Sequence, residues 1–328
     1  MPLISVIICH HKGDLIKQAI ETLSKSKNVD FEIIVVTSVW QLHFEGTRTF
    51  FLDELPAAKR NYASQYAQGQ YLAFFDDDIE ADKDALYEQF KLFQDSLVGM
   101  TFGKLKNMEF RDRFDEAGSY LTWTGFLWAR AESGIEDKGQ YEKVEPILAG
   151  KSASCMIRRK LFNQIGGFDK TFGILGEETD LAWRVWLKGY QVLWCPRSLT
   201  YHAFNTRFKP QNFYTSERVY YNGCRNYITM LIKNLGQENL WILILHILTW
   251  FGAAFGMILT GKFQTGWNIL RGLFYVLDNL GMIVKKRQWI QQMRVLPDRE
   301  LFSIVLKQPK LSYYLYRFLR YIQLGLHG

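Results

Sequence analysis

Two hydrophobic rhythms alternate through the first part of this chain, and a third takes over beyond it. Residues 3–9 (Leu-Ile-Ser-Val-Ile-Ile-Cys) are almost continuously apolar, the pattern of a parallel strand buried on both faces. Over 14–24 the side chains Leu15, Ile16, Ala19, Ile20 and Leu23 fall at helical spacing. A second buried strand is expected at 31–36, a helix at 57–67 ending near Gly69, and a third strand at 71–75. Strand, helix, strand, helix, strand predicts a doubly wound α/β sheet.

A helix is expected over 82–93, after which the pattern turns irregular from 104 to 150, with Tyr120, Trp123, Phe126 and Trp128 scattered among charges. Regular structure resumes with a strand at 153–157 and the turn Gly166-Gly167-Phe168-Asp169. A helix then runs from Glu177-Glu178-Thr179-Asp180-Leu181 to about Lys188, with Gly189 as its stop, and a strand follows at 191–195. Tyr201-His202 closes this part. Residues 240–260 carry no charge and only His246 as a titratable group, a length that suffices to cross a bilayer. Residues 267–284 are again apolar but include Arg271 and Asp278, and Lys285-Lys286-Arg287 follows directly. Residues 312–324 read as a basic amphipathic helix suited to a headgroup layer. The apolar segments can be spanning helices, interfacial helices, or core helices of a soluble domain. The expected division is an α/β domain at 1–205, a connecting helical segment at 206–236 and a helical membrane-associated region at 237–328.

Charge sharpens that division. The chain of 328 residues has a net charge of +7, but residues 1–200 hold 24 basic against 28 acidic side chains and residues 201–328 hold 16 against 5. A basic balance confined to the C-terminal part argues against a nucleic-acid binder and suits a segment resting on an anionic membrane face. Cys9, Cys155, Cys195 and Cys224 lack metal-ligand spacing, so neither a zinc site nor a disulfide framework is expected, and a reduced, cytosolic setting fits. With a strand-like run starting at Leu3, no leader peptide is expected.

The candidate chemistry lies where the third strand runs into Asp76-Asp77-Asp78. Ligands of open α/β sheets sit at the carboxyl ends of the strands. Three carboxylates crowded there repel one another unless a cation or hydrogen-bond donors compensate. A hard divalent ion with substrate phosphates in its shell is one compensation. An acidic turn complementing a helix dipole is the other reading.

Several separated motifs then line up. The chain resembles the family 2 glycosyltransferases of the GT-A fold over residues 3–205. The resemblance rests on Ser5-Val6-Ile7-Ile8-Cys9-His10-His11-Lys12, Phe31-Glu32-Ile33-Ile34-Val35-Val36, Ala58-Lys59-Arg60-Asn61 and the DxD element Asp76-Asp77-Asp78. Further on come Gly166-Gly167-Phe168-Asp169, Glu177-Glu178-Thr179-Asp180-Leu181 and Tyr201-His202. It implies a Rossmann-like nucleotide-diphospho-sugar transferase domain with a mixed, mainly parallel sheet, followed by an α-helical membrane-associated region. It further implies metal-dependent, inverting transfer from a nucleotide sugar to a glycan or lipid-linked acceptor at the cytoplasmic face of a membrane.

Carried over residue by residue, the resemblance makes Asp76, Asp78 and His202 ligands of Mg²⁺ or Mn²⁺. His10, Ser38, Arg60, Asp76 and Asp77 become donor-binding residues. Glu178 falls where the family has its base; Glu177 shares that work, and Asp180 binds acceptor or fixes the helix start. The chain departs from the family with Glu-Glu in place of Glu-Asp and with Thr37-Ser38 where nucleotide-contacting Asp residues are usual. Trp123 and Trp128 are candidates for an acceptor platform or for core packing. Transfer to polyprenyl phosphate and a silent scaffold of the same fold remain the alternatives.

Overall fold

The structure is a computed structural model and describes residues 2–131, 133–203 and 216–310, together with residue 312. The helix expected over 312–324 lies, past residue 312, outside the described residues. The chain divides into two compact units: residues 1–119 with 129–211, and residues 120–128 with 212–328.

The first unit is built on a ten-stranded sheet. Its opening half consists of β1 (Ile4–His10), α1 (Leu15–Ser24), β2 (Phe31–Thr37), β3 (Arg48–Phe51), α2 (Pro56–Tyr66) and β4 (Tyr71–Asp76). These strands stand in the order β3-β2-β1-β4, all parallel, as the continuous apolar runs require. The register pairs Cys9 with Asp76 and His10 with Thr37. The strand ends carrying the candidate chemistry are therefore level along one edge. Helix α1 buries the predicted stripe Ile16, Ala19, Ile20 and Leu23.

The second half adds β5 (Ile79–Ala81), α3 (Ala85–Leu92), β6 (Val98–Asn107), β7 (Phe114–Glu116), β8 (Ser119–Leu121), β9 (Leu127–Ala129), β10 (Glu145–Pro146), β11 (Ser154–Arg158), α4 (Arg159–Gln164), α5 (Glu177–Leu187) and β12 (Gln191–His202). The full order is β10-β12-β6-β11-β4-β1-β2-β3, with β5 against β12 and β7 against β6; β8 and β9 form a separate ribbon. Strand β11 runs antiparallel to both neighbours, and β12 runs parallel to β6. The sheet is mixed, with the parallel block β4-β1-β2-β3 on one side of β11.

Strands β3 and β5–β10 lie outside the five strands expected from sequence, and β7–β10 with the end of β6 fall in the stretch expected to be irregular. Strand β3 was not anticipated, because Arg-Thr-Phe-Phe is too short to show a period. Strand β6 occupies a stretch left between a helix and an irregular region, although it lies inside the sheet. Gly99 and Gly103 interrupt its apolar pattern for a steric reason. A Cβ on Gly99 would come within 2.6 Å of Tyr190 Cβ, and one on Gly103 within 2.5 Å of Ser154 Oγ.

The second unit contains α6 (Ser216–Asn234), α7 (Trp241–Leu259), α8 (Phe263–Asp278), α9 (Leu280–Met293) and α10 (Asp298–Val305). The apolar run expected over 267–284 is thus two helices, broken at Asn279. Cys224, Ile228, Trp250, Ala254, Ile269 and Leu273 form the middle of its core. Gly272 lets α8 approach α6 closely, since a Cβ there would meet Cys224 Cβ at 2.9 Å. Carbonyls at the end of α6 have no intrahelical partner. Arg287 supplies one, donating to Ile232 O and Leu235 O at 2.6 Å each, and Gln291 donates to Lys233 O at 2.9 Å. Buried Asp298 accepts from Gly236 N–H at 2.6 Å and from Arg294 Nη1 at 2.6 Å.

Residues 120–128 pack on α7. Trp123 stacks on Trp241 with ring centroids 5.4 Å apart, and Phe126 lies 4.1 Å from His246. His246 Nδ1 is 2.8 Å from Thr124 O, while Trp250 Nε1–H donates to His246 Nε2 at 2.9 Å. This pair of bonds assigns the proton of a neutral ring to Nδ1. Among the described residues, Gln237–Leu259 is the one helix long and apolar enough to cross a membrane.

Candidate active site

Strand β4 delivers Asp76 at its last position, and the turn into β5 carries Asp77 and Asp78. Strand β5 lies antiparallel to the end of β12, with Ile79 opposite His202. Strand β7 returns along β6 and brings Asp115 to the same end of the sheet. Three strands and the β4–β5 turn therefore supply one cluster, which is why no single stretch of sequence displays it.

Asp78 is 3% exposed and its Oδ1 lies 3.2 Å from His202 Nε2; Asp76 Oδ2 lies 3.8 Å from the same nitrogen. One ligand atom from each of Asp76, Asp78 and His202 falls within 4.8 Å of the others. Two carboxylate oxygens and an imidazole nitrogen form a donor set that suits Mn²⁺ or Mg²⁺. The residues present fit a divalent ion.

Behind them stands a second layer that sequence reasoning missed. His202 Nδ1 is 2.8 Å from Asp115 Oδ2, and Asp115 Oδ1 accepts from Lys151 Nζ at 2.7 Å. With Nδ1 engaged, Nε2 faces the acids. Burial opposes a charge on His202, but Asp78 and Asp115 outweigh it and raise its pKa to about 10. Burial alone would raise Asp115; Lys151 and His202 hold it down at about 2. Next in line, Glu116 is pushed up to about 7 by burial, against the pull of Lys151, whose backbone N–H donates to Glu116 Oε2.

Arg60 links this cluster to the acids of α5. Its guanidinium is 3% exposed and donates to Asp76 Oδ1 at 2.9 Å and to Glu177 Oε1 at 3.3 Å, with Phe168 beneath it. Burial opposes its charge, and Asp76 leads the groups that keep it ionised. Two carboxylates therefore occupy the guanidinium expected to face the donor. Glu177 is buried and its Oε2 has no hydrogen-bond partner among the described residues. Glu178 is half-buried in the first turn of α5. Burial first and Glu177 second raise its pKa well above the ordinary carboxylate value. Asp180, expected at the acceptor or the helix start, is fully buried and paired with Arg184 at 2.8 Å.

At the neighbouring edge, His10 is buried with Nδ1 2.9 Å from Thr37 Oγ1 and Nε2 3.1 Å from Gly13 O. Burial lowers its pKa, so the ring is neutral. Buried Lys59 donates to His10 O at 2.6 Å and to Ser38 Oγ at 2.7 Å. This lysine crosslinks the ends of β1 and β2, which the sequence reading passed over. Asp77 Oδ2 lies 3.4 Å from His11 N.

The Gly-Gly-Phe-Asp turn is anchored rather than reactive. Asn61 Nδ2 donates to Phe168 O at 2.8 Å and Asn61 Oδ1 accepts from Phe168 N at 2.9 Å. Gly176 caps α5 with φ +86°, and Leu175 before it also has a left-handed φ of +76°. Strain of about 1 kcal/mol or more at such a residue gathers at functional loops. Trp123 belongs to the helical unit, stacked on Trp241.

A sequence profile of the family described as Glycosyltransferase like family 2 matches residues 43–249. A stretch of 142 residues, 42% of the chain, is 31% identical to the O-antigen biosynthesis protein RfbC of Myxococcus xanthus, of which it spans only 11%. The fold is similar to that of S. aureus TarS 1-349 in complex with UDP-GlcNAc, at 14% identity and a TM-score of 0.55. That likeness covers 88% of this chain and 90% of the other. GalNAc-T7 with UDP, GalNAc and Mn²⁺ gives the same identity and TM-score over 73% of this chain and 49% of its own.

Proposed function

The chain belongs to glycosyltransferase-like family 2, has the GT-A α/β fold and is a glycosyltransferase; from that premise we propose metal-dependent, inverting transfer from a nucleoside-diphosphate sugar to a membrane-proximal glycan acceptor. The observation that carries this reading is the pair of acid clusters joined through Arg60, one suited to a cation and the other containing a carboxylate of raised pKa.

Asp76, Asp78 and His202 hold the ion, with Asp115 fixing the ring that presents His202 Nε2. A divalent ion bound there neutralises the charge of the departing diphosphate. His10, Ser38 and Asp77 line the donor side, and Lys59 holds the His10 carbonyl and the Ser38 hydroxyl. Arg60 positions Asp76 and Glu177. Glu178 takes the proton of the acceptor hydroxyl, a role that needs a carboxylate within hydrogen-bond reach and a pKa nearer the working pH. The match to an O-antigen biosynthesis protein supports cell-surface polysaccharide assembly as the process. The excess of basic residues after position 200 and the apolar helix Gln237–Leu259 support a lipid-linked acceptor at the cytoplasmic face.

Purified protein with Mn²⁺ and a panel of nucleotide sugars tests the proposal. Asp78→Asn is expected to weaken metal-dependent donor binding by roughly tenfold or more. Glu178→Gln is expected to spare donor binding and lower transfer by roughly 10²–10⁴-fold. Normal turnover in Glu178→Gln removes the base assignment, and metal-independent donor binding removes the ion.

A further inference from the structure

The helical unit exposes an apolar surface that water does not favour. On α7 the buried positions are Ile242, His246, Trp250, Ala254 and Met257, spaced by three or four. The opposite arc presents Ile244, Leu245, Leu248, Phe251, Phe255 and Leu259, and Phe255 is 63% exposed. A tight turn at Gly261 leads into α8, where Phe263, Trp267, Phe274 and Leu277 are each more than half exposed. No acidic residue occurs between Glu238 and Asp278, whereas Lys262 and Arg271 lie within that stretch and Lys285 and Lys286 follow it. An apolar face with Lys262, Arg271, Lys285 and Lys286 in or beside it, against Glu238 and Asp278 at its two ends, carries a net positive charge and is complementary to an anionic lipid surface.

We propose that this face docks on an anionic bilayer with α7 lying in the membrane plane instead of crossing it. The proposal rests on the membrane-proximal reading above and specifies how the chain attaches. Length does not decide the matter, since α7 reaches about 28 Å at ~1.5 Å per residue, close to the ~30 Å hydrocarbon core. Its inner face does. At the middle of the helix Trp250 donates to His246, His246 is bonded in turn to Thr124 O, and Phe126 packs on both rings. Thr124 and Phe126 stand on non-helical backbone that is continuous at both ends, through residues 119 and 129, with the sheet unit. A crossing α7 would carry that backbone to mid-bilayer. Irregular backbone is tolerated at that depth only where protein encloses it, and Trp123 in this segment is 39% exposed. Lying flat, α7 keeps the segment on the water side and still buries the Ile244–Leu259 arc among the acyl chains. Helix α8 fits the same arrangement. At about 24 Å it is too short to cross, and it carries Arg271 and Asp278.

The experiment adds the full-length protein to preformed vesicles of phosphatidylcholine, with and without phosphatidylglycerol, and follows flotation. Binding is expected to anionic vesicles and to fall roughly tenfold at ~0.5 M salt or with Lys262→Glu and Lys285→Glu together. Phe251→Glu with Phe255→Glu is expected to abolish binding while donor hydrolysis and the circular-dichroism spectrum stay unchanged. Spin labels on Ile244→Cys, Phe251→Cys and Leu259→Cys, read one at a time, are expected to report one common shallow depth. A depth that changes steadily from Ile244 to Leu259 overturns the in-plane helix but leaves the membrane-proximal reading standing. Failure to bind any vesicle overturns both, and a stable dimer without vesicle binding assigns the face to a second copy.

Discussion

At Glu178, burial acts first and the neighbouring Glu177 second, and both favour the protonated carboxyl. A base works only when ionised, so kcat/KM is expected to rise with pH along a limb set above the ordinary carboxylate range. Glu177→Gln removes the like charge and leaves Arg60 nearby with one carboxylate fewer. The acid limb should then move to lower pH, and a pH–rate profile that stays in place refutes the coupling. Linkage gives stability the opposite pH dependence. A carboxyl whose folded pKa is raised favours folding below that pKa, and the contribution is lost as pH rises through it. Asp115 invites a second substitution. Asp115→Asn keeps the shape but surrenders the charge that orients His202, so Mn²⁺ affinity read by electron paramagnetic resonance should fall roughly 10–100-fold with the fold intact. Unchanged affinity would reduce Asp115 to a packing residue. The acids at Asp76–Asp78 and Glu177–Glu178 were legible because the strand and helix that present them have clear periods. Asp115, Lys151 and Lys59 were not. The first two lie in or beside an irregular stretch and acquire meaning only through strand pairing, and a helical lysine gives no sign in sequence that it is buried.

Among the elements, the Gly-Gly-Phe-Asp turn shows how local chemistry fixes a wall of the site. Gly167 has φ +65°, and a Cβ there would lie 2.7 Å from Asn61 Oδ1, the atom that accepts from Phe168 N. Gly167→Ala therefore meets backbone strain and breaks the two-way bond between α2 and the turn. A loss of about 2–4 kcal/mol, measured by urea unfolding, is expected from strain and bond together. A loss below about 0.5 kcal/mol would show that the turn relaxes freely. The same scale explains what periodicity could find. Strands β1, β2 and β4 are uninterrupted apolar runs and stood out at once. Strand β6 was hidden by Gly99 and Gly103, whose small size serves contacts with neighbouring elements. Helices α8 and α9 read as one segment because hydropathy averages across the break at Asn279.

For the whole molecule, the α/β class of the sheet and the strand end that carries the acids were legible in the alternation of strands and helices together with the DxD element, whereas the strand order was not. The membership of residues 120–128 in the helical unit did not. Nothing in the composition of that stretch distinguishes aromatic residues that pack on a distant helix from those that might line a sugar site. Trp123 packs on Trp241 and Phe302, and Phe126 on Tyr227, His246 and Trp250, all of them in the helical unit. This threading dictates an order of events during synthesis. The ribosome delivers the segment early, and its rings stay unpaired until α7 has left the exit tunnel. A nascent chain halted between the two is sticky at one defined spot and calls for a chaperone there. No single cut in the gene can separate the catalytic sheet from its helices without leaving those aromatic side chains stranded.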